Sequence, residues 1–370
     1  MKYYIIAGEA SGDLHGSNLM KALYIEDPNA DIRFWGGDLM RNVGGTLVKH
    51  YRELAFMGFV EVIFNLKTIL NNIKICKKDI TGFQPDVIIF IDYPGFNLRI
   101  AKWSKECGFK NHYYISPQIW AWKENRITEI KRDIDKMYVI LPFEKSFYED
   151  KHHFPVEFVG HPLIDAIHNQ KPIDASVFRK ENKLNEKPII AILPGSRQQE
   201  ITKMLSVMLS VVNDFPDYQF VIAGAPSHEY SFYESFISNE NIKFISNKTY
   251  DLLQNATAAL VTSGTATLET ALFKVPEVVC YKGSWASYQI AKRIVTLKYI
   301  SLVNLIMDKE VVTELIQEDC STKRIRTELK KILEYNYRST ILQEYELLEE
   351  KLGGIGASTK TAKLIVADLQ

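Results

Sequence analysis

Asp92 follows the apolar run DVIIFI (86–91) and opens the turn Asp92-Tyr93-Pro94-Gly95-Phe96-Asn97. A carboxylate at the end of a buried strand is held rigidly and partly desolvated, which suits it to take a proton from a hydroxyl nucleophile. Asp and Pro are also turn formers, so an Asx-turn or a helix cap is the competing reading. Three further turns carry small residues: GEASGD (8–13), LPGSR (193–197) and TSGTATLE (262–269). Glycine lets a backbone approach a ligand, and a helix that follows offers free N–H groups and a positive dipole end to a phosphate. Ser263 and Thr265 add hydroxyl donors around Gly264. Glu269, one helical turn beyond Thr265, suits the paired hydroxyls of a ribose and would repel a diphosphate. Arg197, a permanent cation after Gly195-Ser196, can neutralise a leaving diphosphate. Each turn taken alone is also readable as a plain βα connection. Neither GxGxxG nor GxxxxGK[ST] occurs, so dinucleotide oxidoreductases and P-loop ATPases lose their main support.

The segment Ser116-Pro117-Gln118-Ile119-Trp120-Ala121-Trp122 presents aromatic faces that stack on sugars or pack on acyl chains, or that anchor a loop to the core. Asp133-Ile134-Asp135 is formally a DxD metal motif, but its neighbours Lys131, Arg132 and Lys136 make it a solvated turn. His152-His153 reads as a surface turn for want of ligands at metal spacing. His161, in VGHPL (159–163), falls near the expected junction between domains.

Positioning these residues requires repeated strand–turn–helix units. Tyr3–Ala7, Asp86–Ile91, Asn111–Ile115 and Lys136–Leu141 are short apolar runs separated by helical stretches, and a second series follows at Ile189–Leu193, Gln219–Ala223, Ile242–Ile245, Ala258–Thr262 and Glu277–Tyr281. That alternation predicts parallel sheets covered on both faces. A chain of 370 residues exceeds one core. The expected division is an N-terminal Rossmann-like domain over 1–165, a polar linker over 166–187, a second Rossmann-like domain over 188–345 and a helical tail over 346–370, with a ligand cleft between the two domains. Lys plus Arg and Asp plus Glu balance at 45 each, which gives no nucleic-acid footprint. Four scattered cysteines and the lack of a signal peptide or an 18-residue apolar window predict a cytoplasmic protein without structural zinc or disulfides. Residues 56–78 place Phe59, Ile63, Leu66, Ile69, Leu70 and Ile73 at helical spacing among four lysines, either a core stripe or a face for anionic lipid.

In order along the chain, GEASGD (8–13), MGFVEV (57–62), IDYPGFN (91–97), SPQIWAW (116–122), LPFEKSFY (141–148), VGHPL (159–163), LPGSR with Glu200, TSGTATLE (262–269) and SLVNLI (301–306) resemble the lipid A disaccharide synthases. The resemblance implies an α/β fold of GT-B type, with two doubly wound domains. It implies an inverting transfer from UDP-2,3-diacylglucosamine to 2,3-diacylglucosamine 1-phosphate that forms a β-1,6 linkage and releases UDP. By motif position Asp92 looks like the general base and Arg197 like the group that neutralises the diphosphate. Ser196, Glu200, Ser263, Gly264, Thr265, Glu269 and Asn304 would line the UDP-sugar pocket, and Ser11, Glu61, Asn97, Gln118 and Trp120 would border the acceptor. No metal or cofactor is implied. A peripheral protein of the inner membrane's cytoplasmic face, and a homodimer with exchanged C-terminal segments, are implied. Two positions depart from the pattern: Gly95 stands where a second acid is common, and Val303 where proline is common. The nearest alternative is a UDP-sugar 2-epimerase of similar fold, which needs neither a lipid face nor an acceptor. A non-catalytic nucleotide-sugar binder would not require both Asp92 and Arg197.

Overall fold

The computed structural model describes residues 1–54, 66–225, 228–283 and 298–370. The chain forms two compact units, the first made of Met1–His168 together with Leu352–Gln370, the second of Asn169–Lys351. The first holds a seven-stranded sheet built from β1 (Lys2–Ala7), β2 (Asp31–Gly36), β3 (Thr46–His50), β4 (Val87–Ile91), β5 (Asn111–Tyr114), β6 (Lys136–Val139) and β7 (Glu157–Phe158), in the order β3-β2-β1-β4-β5-β6-β7. The second holds a six-stranded sheet of β8 (Ile189–Leu193), β9 (Gln219–Gly224), β10 (Ile242–Ser246), β11 (Ala256–Thr262), β12 (Glu277–Tyr281) and β13 (Thr313–Ile316), ordered β10-β9-β8-β11-β12-β13. Strand pairings in both sheets are parallel. The central strands VIIFI and IIAIL are buried throughout, as strands covered on two faces must be.

Each strand order reverses once, between β1 and β4 in the first unit and between β8 and β11 in the second. Loops leaving neighbouring strands on either side of such a point run to opposite faces of the sheet, which opens a crevice at the strands' carboxyl ends. GEASGD and Asp92 leave β1 and β4, and LPGSR and TSGTATLE leave β8 and β11. Asp92 and the three small-residue turns therefore occupy the two topological switch points.

The stretch 166–187, expected as a linker, contains the helix Ala175–Glu181, capped by Asp174 through the amides of Ser176 and Val177, and it buries Phe178 in the second core. Within the expected tail, Leu352–Gln370 is part of the first unit. Asp165 accepts from the amides of Gly356 (2.6 Å) and Ser358 (2.9 Å), and Asp368 pairs with Lys110 at 3.0 Å. His161 donates its amide to the Leu352 carbonyl, and burial lowers its imidazole pKa to about 3, so it is a neutral structural group.

The DxD segment is not a solvated turn. Asp133 is buried and chelated by Arg132 at 2.6 and 2.7 Å, while Asp135 accepts from the Asn111 amide and pairs with Lys105. No group of three or more metal-ligating side chains occurs among the described residues. His152 lies 3.0 Å from Glu124.

Asp13, in GEASGD, accepts from the amides of Gly37 (2.7 Å), Met40 (3.0 Å) and Leu39 (3.0 Å), fixing the start of the helix Asp38–Val43 against the first switch point. An Asp13→Ala substitution strands these donors, at a cost of about 2 kcal/mol. Thermal unfolding should lose roughly 4–8 °C for a unit of this size, and an unchanged Tm would contradict this role.

Candidate functional site

The turn after β4 is strained. Asp92 (φ 45°) and Tyr93 (φ 49°) are consecutive non-glycine residues in the left-handed region, which L-residues adopt only when their surroundings hold them there. Two side chains do so. The Tyr113 hydroxyl, from β5, donates to the Asp92 carbonyl at 2.5 Å, and the Asn97 amide donates to the same oxygen at 2.7 Å and to the Ile91 carbonyl at 3.3 Å. Across the switch point, a Cβ on Gly8 would lie 2.2 Å from the Tyr93 ring, so only glycine lets the two turns meet. That contact brings Glu9 near Asp92. Burial first, and then the Glu9 charge, raise the Asp92 pKa to about 6, against the partial relief of a Tyr93 backbone donor. A carboxylate poised there is a base at neutral pH with a stronger pull on a proton than an ordinary aspartate.

The sequence-derived acceptor residues fall in different settings. Ser11 is exposed in the first turn of the helix Ala10–Glu26, and Gln118 is exposed in its loop. Trp120 is half-buried, donates its indole N–H to Glu144 at 3.1 Å and lies edge-on to Phe143 at 4.8 Å. Asn97 is fully buried, its amide committed to the strained turn. Glu61 lies outside the described residues. The organiser of the aromatic loop is Glu144, which accepts from Ser116 (2.5 Å), Trp120 and the amides of Ile140 (3.1 Å) and Leu141 (2.8 Å). Its burial raises its pKa while these donors oppose the rise. The motif LPFEKSFY carried this residue without showing what it bonded.

In the second unit a cavity of about 290 Å³ is walled by Gly195, Ser196, Glu200, Ser263, Gly264, Thr265 and Glu269, with Thr262 and Thr249 beside them. It sits at the start of the helix Thr265–Leu272, where unsatisfied N–H groups favour an anion. Gly195 has φ 101°, and a Cβ on it would stand 3.0 Å from Glu200 Oε2. The Thr262 hydroxyl is buried with no hydrogen-bond partner among the described residues. Glu269 accepts from the Tyr250 hydroxyl at 2.8 Å, and burial raises its pKa. Arg197 does not line the cavity; its side chain is 73% exposed and lies 3.6 Å from Glu200.

Asn304 is fully buried and contacts no open space. Its amide nitrogen donates to Val312 and Glu314, and its oxygen accepts from the amides of Val311 and Val312. Glu314, which no sequence motif marked, also accepts from the amides of Ile300 (3.0 Å) and Ser301 (2.9 Å), and the Ile300 carbonyl accepts from the Ser263 hydroxyl at 2.9 Å. One carboxylate on β13 thus fixes the segment to which the Ser263 turn is tied.

Residues 3–365 match the family model described as lipid-A-disaccharide synthetase. Among curated relatives, the lipid-A-disaccharide synthase of Coxiella burnetii (strain CbuG_Q212) is 37% identical over 98% of this chain and 96% of its own length. That of Idiomarina loihiensis is 38% identical over 98% and 97%. Among solved structures, the UDP-GlcNAc 2-epimerase of Neisseria meningitidis superposes with a TM-score of 0.65 at 13% identity, covering 100% of this chain and 99% of that one. A glycotransferase of kitacinnamycin gives 0.65 at 12%, covering 100% and 99%. At such identities these structures share a fold and nothing more. The near-complete match to the synthases is of another kind, and the chain belongs to the lipid-A-disaccharide synthase family.

Proposed function

We propose that this glycosyltransferase joins UDP-2,3-diacylglucosamine to 2,3-diacylglucosamine 1-phosphate, giving the β-1,6-linked disaccharide 1-phosphate and UDP with inversion at the donor carbon. Asp92 is the general base: the acceptor 6-hydroxyl attacks the anomeric carbon, its proton passes to the carboxylate, and the bond to UDP breaks with its electron pair on the leaving phosphate. The observation that carries this reading is the Asp92 carboxyl at a switch point, with its pKa raised to about 6 by burial and Glu9. In the second unit, Ser263, Gly264, Thr265 and Ser196 hold the diphosphate, and Glu269 takes the ribose hydroxyls. Arg197, now ion-paired with Glu200 and largely exposed, exchanges that partner for the diphosphate when UDP is bound. Asn97 and Asn304 act as positioning residues, and Ser11, Glu61, Gln118 and Trp120 border the acceptor.

The chain further works at the surface of the inner membrane. No described helix is long and apolar enough to cross a membrane. The helix Leu66–Phe83 buries Asn72, Cys76 and Ile80 and leaves Leu70, 58% exposed, beside exposed Lys74 and Lys78, a mixture suited to an anionic bilayer surface. In a homodimer, Leu352–Gln370 is the segment to be exchanged.

Asp92→Asn should lower kcat by about 10²–10⁴-fold with UDP affinity unchanged, measured by turnover and calorimetry. Near wild-type turnover would remove Asp92 as the base. Because the base must be ionised, activity should fall as pH drops through about 6. Glu9→Gln removes a charge that raises this pKa, so it should move the acid limb to lower pH, and a limb that stays put or moves up would contradict the coupling. Glu314→Ala should weaken UDP binding about tenfold or more through Ser263 while leaving the acceptor KM unchanged. A shifted acceptor KM with intact UDP binding would overturn that assignment.

A further inference from the structure

A second concave site lies in the first unit, beginning where the Asp92 turn ends. The groove, about 490 Å³, is walled by Pro94, Gly95, Leu98, Arg99 and Lys102 from the helix Pro94–Glu106, and by Lys123, Asn125, Arg126, Glu129, Arg132 and Asp133 from the segment that follows the aromatic loop. Arg132 and Asp133 neutralise each other in a two-point ion pair. That leaves Arg99, Lys102, Lys123 and Arg126 facing the single acid Glu129. None of these four cations has a carboxylate within ion-pair distance among the described residues: the ion pairs of this unit join other side chains. Lys123 instead lies over the ring of exposed Trp122 at 4.3 Å, with the Arg126 guanidinium 6.0 Å from the same ring. Four uncompensated cations converging in one concavity repel one another, and an anion of more than one charge relieves that repulsion.

The groove is tied to the reacting turn. The Arg126 charge acts on the phenol of Tyr113, the side chain that holds the Asp92 carbonyl, and the Arg99 charge acts on the phenol of Tyr93. Asp92 and Gly95 are three residues apart, so their backbones are at most about 10 Å from each other. A hexose that presents its 6-hydroxyl to one end of this turn carries the phosphate on its first carbon just across the ring oxygen, within reach of a neighbouring groove.

We propose that the groove formed by Arg99, Lys102, Lys123 and Arg126 is a phosphate-monoester site, which seats the phosphate of the acceptor sugar while its hydroxyl lies at Asp92. This rests on the transferase reading above. Guanidinium forks match the oxygen geometry of a phosphate and the two lysines add point charge. The site gives the enzyme a preference for phosphorylated over unphosphorylated acceptors and fixes which hydroxyl reaches the base. The same phosphate chemistry is carried by anionic lipid headgroups, which are the alternative source.

The test uses the full chain and an Arg99→Gln/Arg126→Gln double variant, both exposed or half-exposed positions where folding is not at issue. Titration calorimetry with glucosamine 1-phosphate should show binding to the wild type weakened at least tenfold in the variant, with UDP affinity unchanged. In turnover, the variant should raise the KM of the phosphorylated acceptor at least tenfold at near-normal kcat, and should match the wild type on an acceptor that lacks the phosphate. Equal glucosamine 1-phosphate binding by the two proteins overturns the site. Sedimentation with phosphatidic acid vesicles separates the sources: a variant that loses vesicle binding yet keeps the wild-type acceptor KM overturns the acceptor assignment in favour of a headgroup. If the wild type forms no disaccharide but the binding difference persists, the transferase reading fails and the phosphate site stands.

Discussion

The carbonyl oxygen of Asp92 receives two hydrogen bonds, from Tyr113 on the neighbouring strand and from Asn97 one helical turn on. They add to the backbone bonds from Asp92 to Tyr114 and from Phe96 and Asn97 to Tyr93 in holding two successive side-chain-bearing residues in a left-handed conformation, which costs of order 1–3 kcal/mol each. Released, the turn would relax and carry the Asp92 carboxyl away from Glu9 and from the end of β4. The raised pKa follows from the same clamp, because it is burial and proximity to Glu9 that shift it. In the base role proposed for Asp92, its basicity depends on a strained turn, and a phenol and an amide on other residues help to maintain that strain.

The second unit solves a similar problem with a charge. Glu314 collects the amides of Ile300 and Ser301 and the side chain of Asn304, and the segment so ordered supplies the carbonyl that orients Ser263. A single carboxylate satisfying three donors is strongly held, and it fixes the segment to which the Ser263 turn is bonded. In each half of the protein a parallel sheet places the turn, and hydrogen bonds from neighbouring polar side chains fix its detail.

Much of this was legible in the sequence. Apolar runs such as VIIFI and IIAIL can only be strands covered on both faces, and the small-residue turns that follow them mark the switch points. Two doubly wound α/β domains were therefore readable from periodicity and spacing, and the GT-B type was what the family resemblance implied. What stayed hidden was long-range hydrogen bonding. Glu144 and Trp120 are 24 residues apart, and Glu314 and Asn304 are 10 apart across a turn; neither pairing leaves a periodic trace. For the same reason the motif asparagines gave no sign that Asn97 would donate to the Asp92 and Ile91 carbonyls, or Asn304 to the Val312 carbonyl and the Glu314 carboxylate. Composition misled at Asp133, where the neighbours Lys131, Arg132 and Lys136 suggested a solvated turn although Arg132 closes over the buried carboxylate. The polar stretch 166–187 hid a short capped helix because one buried phenylalanine, Phe178, is enough to dock it.

The central claim is that this chain forms a glycosidic bond between two acylated sugars. The most direct measurement incubates the full chain with UDP-2,3-diacylglucosamine and 2,3-diacylglucosamine 1-phosphate and identifies the products by mass spectrometry. The account predicts a tetra-acylated disaccharide 1-phosphate and an equal amount of UDP. Epimerised UDP-sugar with no disaccharide would contradict it.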